Sequence, residues 1–311
     1  MVTVGESLGL VRAARPGGLR HVRDARIGFG GAESNAAIGL SRLGVDTTWI
    51  GRLGTDPLGD LVEAELRAEA VRPVVVRDPG RPTALMLKDH RIRGSSQVRY
   101  YRRDSAGSAL SVDDLPHDVI EAADHLHLTG ITPALSDGAR RAVFAALEIA
   151  EAGGLSVSFD VNHRPALWSA DQARGVYTEL AGRADVVFAG QDEAELLTGG
   201  AGGPTELARR VRELGAGEVV VKLGDRGCIV SAGDSLETVP AVRVDVVDTV
   251  GAGDAFVAGY LAAAFGGRDP AARARLGATA GAFACLTDGD WEGCPRTDEL
   301  GLVGAADPVT R

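Results

Sequence analysis

Apolar and polar positions follow two rhythms along the chain. Short, nearly continuous apolar runs occupy residues 47–51, 125–130, 155–160, 185–189 and 218–223, as expected of strands buried on both faces of a parallel sheet. Between them, residues 35–43, 58–70, 136–152, 171–182 and 205–214 carry helical patterns. Ser136 and Asp171 stand at expected N-caps, where a short oxygen-bearing side chain accepts from free N–H groups of the first turn. Strand–helix alternation predicts an α/β fold built on a doubly wound, mainly parallel sheet flanked by helices.

Residues 74–101 break the alternation, being strand-like with polar turns and no helical spacing. Together with residues 8–29 they predict a small antiparallel sheet projecting from the main one. It reads as a lid of about residues 8–29 and 74–104 on a single domain spanning 1–311. Residues 304–311 read as a frayed tail.

Composition narrows the function. The 311 residues are 45% apolar and 24% charged, ordinary values for a globular chain. The net charge of −10 argues against general nucleic-acid binding, which needs a basic face. No apolar run approaches the ~18–20 residues of a membrane-spanning helix. Residues 1–6 lack the basic flank and apolar core of a secretory signal, and the three scattered cysteines, Cys228, Cys285 and Cys294, do not suggest a disulfide framework. A cytoplasmic protein is expected. Lysine occurs only at Lys88 and Lys222, so arginine is common here and a single arginine carries little weight.

Two segments suggest chemistry. In Asp248-Thr249-Val250-Gly251-Ala252-Gly253-Asp254-Ala255-Phe256, small residues precede a helix whose Phe256, Gly259, Tyr260 and Ala263 share a face. Unobstructed N–H groups at a helix start can hold the oxyanions of a migrating phosphoryl group. Asp254 is placed to take the proton of an attacking hydroxyl. The plainer alternative is a glycine turn with an acidic first-turn residue. The second segment is Gly28-Phe29-Gly30-Gly31-Ala32-Glu33-Ser34-Asn35, where glycines admit a polyhydroxylated ligand and Asn35 offers both donor and acceptor. It lacks the third glycine of a dinucleotide fingerprint, which speaks against a Rossmann dehydrogenase, and the chain has no Gly-x-x-x-x-Gly-Lys-Ser/Thr loop.

Taken together, the elements from Gly30 to Asn35 and from Asp248 to Asp254 resemble the two hallmark motifs of the ribokinase (PfkB) carbohydrate kinases, in order and separation. Gly51-Arg52-Leu53-Gly54-Thr55-Asp56-Pro57-Leu58-Gly59 and Lys222-Leu223-Gly224-Asp225-Arg226-Gly227 resemble further family elements. The resemblance covers nearly the whole chain and implies a Rossmann-like sheet with a β-lid, ATP and Mg²⁺ as cofactors, and room for a monovalent cation. It implies Asp254 as base, with Gly251, Ala252 and Gly253 as the anion hole. Lys222, Gly224 and Gly227, with Gly251 and Gly253, would line the nucleotide site. Gly31 and Asn35 would meet the sugar, and Glu193 would help place magnesium through water.

Within the family the chain resembles the branch acting on 2-keto-3-deoxygluconate. The residues are Tyr100-Tyr101-Arg102-Arg103-Asp104-Ser105-Ala106, Leu126-His127-Leu128-Thr129-Gly130-Ile131, and the run from Phe159 through Arg164 to Trp168. This implies a sugar acid as partner, held by Tyr100, Arg102 and Arg164, with Asp290 at a sugar-side aspartate position. Arginine grips a carboxylate bidentately, whereas a neutral sugar offers nothing for such a pair. From Lys88 to Arg103 the chain has six basic residues and one acidic residue. A homo-oligomer through the lid is also expected.

The chain departs from the family at two places. Gly190-Gln191-Asp192-Glu193 replaces the usual Asn-x-x-Glu, keeping the carboxylate while Gly190 has no side chain for the nucleotide, leaving Gln191 or a water to substitute. Met86 stands where several relatives of the branch have a tyrosine. The alternatives are a kinase for a neutral sugar such as fructose or ribose, and a binding module without catalysis. His125 and His127 read as strand residues, not metal ligands, and Trp168 reads as packing.

Overall fold

The protein is described by a computed structural model covering residues 1–92 and 95–303; the tail expected at 304–311 lies outside the described residues. The chain begins β1 (Val2–Val4), β2 (Leu8–Ala13), β3 (Ala25–Gly30), α1 (Ala32–Arg42), β4 (Thr48–Gly54), α2 (Pro57–Ala68), β5 (Arg72–Asp78). It continues β6 (Leu85–Ile92), β7 (Ser95–Tyr101), α3 (His117–Glu121), β8 (His125–Thr129), α4 (Asp137–Gly153), β9 (Ser156–Asp160), α5 (Ala170–Gly182), β10 (Val186–Gly190). It ends α6 (Gln191–Thr198), α7 (Pro204–Arg212), β11 (Glu218–Lys222), β12 (Cys228–Ala232), β13 (Ser235–Val239), α8 (Ala252–Phe265), α9 (Pro270–Ala284).

The strands form a nine-stranded sheet, ordered β13-β12-β11-β10-β9-β8-β1-β4-β5, and a four-stranded sheet, ordered β3-β2-β6-β7. In the larger sheet every pairing from β11 to β5 is parallel, and β12 and β13 add an antiparallel edge. Its apolar runs serve two cores. Val187, Ala189, Val219 and Val221 face the cluster shared with α4, α5 and α7. Their neighbours Val186, Phe188 and Val220 face the cluster that holds α8 and α9. Helices therefore cover both faces, which is why these strands are apolar at successive positions.

Three expectations change. Helix α1 begins at Ala32 and not at residue 35, which brings Glu33 and Asn35 into its buried first turn. Ser169, not Asp171, caps α5: its hydroxyl accepts from Gln172 N–H while the Gln172 side chain accepts from Ser169 N–H, a reciprocal capping box. The lid sheet is mixed, because β2 pairs with β6 in parallel. Its second half starts at Leu85, since Arg72–Asp78 pairs with β4 at the edge of the main sheet. The edge hairpin β12–β13, the short β1 and helix α9 went unread in the sequence.

Candidate active site

Strand order reverses around β1, which pairs with β4 on one side and β8 on the other, and open α/β sheets bind ligands at such a switch point. Polar residues end the strands there: Thr129 on β8, Asp160 on β9 and Lys222 on β11, with Glu6 just beyond β1. Between these ends and the lid lies a cavity of about 380 Å³ that includes Asn35, Tyr100, Arg102, Arg164, Asp254 and Asp290. A second cavity, of about 660 Å³, lies between the β11–β12 turn, residues 241–246, and helices α8 and α9. Its walls include Gly224, Gly227, Val242, Val246, Phe256 and Cys285. Lys222, Thr249 and Gly253 line both.

The shared lip is the start of α8. Gly251 caps the helix at φ 77°, and a Cβ there would lie 1.8 Å from the Asp290 carbonyl oxygen, so only glycine fits. Among the described residues the N–H groups of Gly251, Gly253 and Asp254 find no acceptor. They point out of the positive end of a buried helix, an arrangement suited to an anion. Asp254, one residue further on, is held by Asn35 Nδ2 at 2.8 Å and more loosely by Asn162 Nδ2 at 3.4 Å. Burial pushes its carboxyl up to about 6, with Asp160 adding to the rise and the Asn35 hydrogen bond, Arg164 and Lys222 opposing it. Asn162 adopts φ 39°, a left-handed conformation that asparagine tolerates better than most residues.

Most cations around the first cavity already have partners. Lys222 Nζ donates to both oxygens of Asp160, at 2.8 and 3.0 Å. Burial works against its charge, yet Asp160, with Glu193 and Asp254, holds the ammonium above its ordinary pKa. Lys88 of the lid pairs with Asp248. Arg102 gives Nε and Nη2 to Glu6 Oε2, at 2.8 and 2.5 Å, and lies 5.2 Å from the Tyr100 ring centroid. Ser105 holds the other Glu6 oxygen at 2.9 Å. The expectation of two equivalent substrate-gripping arginines therefore needs revision: Arg102 is already neutralised along one edge. The guanidinium of exposed Arg164 makes no hydrogen bond or ion pair among the described residues, although its charge is felt at Asp254.

The carboxylates show the reverse pattern. Asp290, 8% exposed, faces the root of the lid, where a Cβ at Gly30 would come within 2.3 Å of its Oδ2. Burial pushes it up to about 7 against the pull of Lys88. Glu33 is wholly buried; Thr129 and Thr132 hydroxyls donate to its Oε1 at 2.7 and 2.6 Å while Oε2 has no partner. Burial raises it to about 7. Glu193 accepts from the N–H groups of His163 and Gly190, at 2.7 and 2.6 Å, so it caps α6 and ties β9's loop to it while lining the cavity. Gln191 is engaged by Arg226 at 2.9 Å, which weakens it as a replacement for the missing side chain at Gly190. Gly31 approaches the backbone closely, a Cβ there lying 2.3 Å from the Glu6 carbonyl oxygen.

Residues outside the cavities behave as packing. His125 and His127 bond to Ser156 and Ser158, and burial drives both rings down to about 3. Trp168 donates to Tyr177 at 3.0 Å. Glu6, Glu33, Asp160 and Asn162 line the cavity although sequence reasoning gave them no role. Their positions just past β1, in the first turn of α1 and at the end of β9 were the available signal.

The sequence pattern of the pfkB family carbohydrate kinases matches residues 1–296. The chain is 40% identical to the 2-dehydro-3-deoxygluconokinase of Bacillus subtilis (strain 168) over 304 residues, 96% of this chain and 93% of that protein. It is similar to the crystal structure of a PfkB protein from Polaromonas sp. JS666, with 36% identity, TM-score 0.86, and 96% and 97% of the two chains covered. It is also similar to a fructokinase double mutant from Vibrio cholerae O395, solved with fructose, ADP and potassium ion. Identity there is 27%, the TM-score 0.85 and coverage 97% of each chain.

Proposed function

The chain belongs to the pfkB family of carbohydrate kinases, and from that premise we propose that it transfers the ATP γ-phosphoryl group to the 6-hydroxyl of 2-keto-3-deoxygluconate (2-dehydro-3-deoxygluconate). The observation that carries this reading is Arg164, whose guanidinium makes no hydrogen bond or ion pair among the described residues in the cavity that holds Asp254. A sugar acid supplies the carboxylate that this cation lacks, and the free edge of Arg102, beside Tyr100, supplies a second set of donors. Gly31, Asn35 and Asp290 suit the hydroxyl groups of the same ligand. The 40% identical relative named for this substrate supports the choice.

In the proposed mechanism, ATP occupies the larger cavity with its phosphates directed at the shared lip, near Lys222 and the backbone of Gly224 and Gly227. The acceptor hydroxyl lies against Asp254, whose carboxylate removes its proton as the oxygen attacks the γ-phosphorus. The bond from that phosphorus to the β-phosphate oxygen breaks and ADP leaves. The free N–H groups of Gly251 and Gly253, with Ala252 between them, receive the charge of the transferring group. Positioning and charge stabilisation are the main demands of such a reaction. Magnesium, when bound, neutralises phosphate charge. Glu193, which lines the cavity beside Asp254 and Lys222, would help to hold that ion through water.

Two further expectations belong to this reading. The exposed Ile27 and Tyr101 suit a homo-oligomer formed through the lid. Three free thiols suit the cytoplasm, and among the described residues no helix is long and apolar enough to cross a membrane.

One observation favours a second reading, a neutral-sugar kinase: Arg102 is compensated by Glu6, leaving a single cation without a partner. A coupled ADP-release assay over sugar acids and neutral sugars separates the two. The proposal expects the highest kcat/KM for 2-keto-3-deoxygluconate. A higher value for fructose or ribose overturns it.

A further inference from the structure

Asp290 lines the cavity proposed for the acceptor, yet among the described residues no donor reaches either of its carboxylate oxygens. Its direction is therefore set by the backbone that carries it. That backbone is fastened from behind by Arg42, the last residue of α1, whose side chain is 10% exposed. Arg42 Nη1 donates to the carbonyls of Trp291, Glu292 and Cys294, at 3.3, 3.0 and 2.7 Å. Its Nε and Nη2 grip the two oxygens of Glu69 at 2.8 and 2.9 Å, and its guanidinium carbon lies 5.2 Å from the Trp291 ring centroid. The front of the same turn meets both glycine elements. Trp291 Nε1 donates to the Phe29 carbonyl at 3.1 Å, the Asp290 carboxylate abuts Gly30, and the Asp290 carbonyl abuts Gly251.

We propose that Arg42 is a positioning residue that aims the Asp290 carboxylate at the acceptor, and so sets how tightly the acceptor is held. The inference rests on the kinase reading above and on Asp290 meeting the acceptor, but not on which sugar that is. Carbonyl oxygens that converge on one point repel one another unless a cation lies between them. Without the guanidinium the 291–294 turn relaxes and carries the residue just before it out of line. A misplacement of about 1 Å far from the reacting atoms is enough to weaken catalysis strongly. Lysine cannot reproduce the arrangement, because a single ammonium cannot serve Glu69 along one edge and the carbonyls along another.

The test is a double-mutant cycle on acceptor kinetics, comparing wild type, Arg42→Lys, Asp290→Asn and the pair, with 2-keto-3-deoxygluconate and with fructose. Arg42→Lys should lower kcat/KM for the preferred acceptor roughly 3–100-fold, mostly through KM, but less than about twofold in the Asp290→Asn background. The ATP KM should move less than about twofold in either background. An arginine that only supports the fold would lower the melting temperature and reduce kcat/KM by the same factor in both backgrounds, and that result overturns the proposal. So does an Arg42→Lys or an Asp290→Asn enzyme that keeps the wild-type acceptor KM. If Arg42→Lys does not fold, Arg42→Met/Glu69→Gln, which removes both charges of the pair, takes its place in the cycle with the same expectation. A preference for fructose defeats the substrate assignment alone, and the cycle is then read with fructose. No turnover of either sugar defeats the kinase reading and this inference with it.

Discussion

The two cavities that meet at Gly253 are built in opposite ways. The cavity proposed for the nucleotide is walled largely by glycines, alanines and valines, with backbone close to the space it encloses. Gly227 is sterically required: a Cβ there would lie 2.0 Å from the Val239 carbonyl oxygen at φ 90°. The cavity proposed for the acceptor is walled by charged side chains drawn from the small sheet, α1, β9, β11 and α8. Three of its four cations are cancelled locally, in Lys222–Asp160, Lys88–Asp248 and Arg102–Glu6. The contrast suggests that phosphates can be bound by N–H groups any sequence supplies, provided side chains stay out of the way. A particular acceptor instead requires particular charges, and in the proposed reading the unpaired Arg164 guanidinium selects it.

The comparison is best broken where the cavities join. Asp254→Asn keeps the size and can still accept from Asn35 Nδ2 but removes the base, so kcat is expected to fall by ~10²–10⁴ while both ligands still bind. Steady-state kinetics with direct binding measurements check this, and a variant retaining a third of wild-type kcat would remove Asp254 from the role.

Removing the unpaired charge comes next. Arg164→Ala should lower kcat/KM for the sugar acid by roughly 10–150-fold, the loss of a charge-assisted hydrogen bond worth ~1.5–3 kcal/mol, and affect fructose far less. Arg102→Ala should add a loss of thermal stability, because it leaves Glu6 buried without its partner, a change that costs about 3–5 kcal/mol in comparable pairs. Equal losses on both sugars in Arg164→Ala would mean that this arginine supports the fold.

The pH profile gives a smaller effect with a definite sign. Burial raises Asp254 to about 6, and the base works only when deprotonated, so kcat/KM should be flat above that pH. It should fall about tenfold per unit below it. A profile flat down to pH 4.5 would contradict the buried base. The least effect is expected on the nucleotide side: Asp225→Ala or Arg243→Ala should each change the ATP KM by less than about threefold, as for substitutions away from buried contacts. A larger change in either would mean that side chains bind the nucleotide after all.

The same contrast explains what could be read in the sequence. The glycine elements were legible because positive φ and close backbone approach leave a residue-type signature at Gly251 and Gly227. The parallel strands were legible because Phe188 and Val187 bury against opposite faces. The charge pairs were not, since their members lie far apart in the chain, 160 residues for Lys88 and Asp248 and 96 for Glu6 and Arg102. Abundant arginine gave no hint that Arg102 is compensated and Arg164 is not. Helix α9 was missed because its alanines and glycines are buried on several sides, which erases the one-sided periodicity used to find helices. Asp171 was mistaken for a cap because Ser169 is equally suitable, and only the reach of Gln172 decides between them.

The reversal of strand order has a consequence at the opposite rim of the main sheet. Among the parallel strands, every end used by the two cavities is a C-terminal end, so the turns that feed β4 and β9 lie away from them. Those turns contain Gly44 at φ 86° and Gly154 at φ 70°, and a Cβ at either meets nothing within 4 Å. They are places where the chain can grow. Doubling a flexible loop costs only ~0.6 kcal/mol in closure entropy, so a peptide graft or a fused reporter at either turn should leave turnover intact.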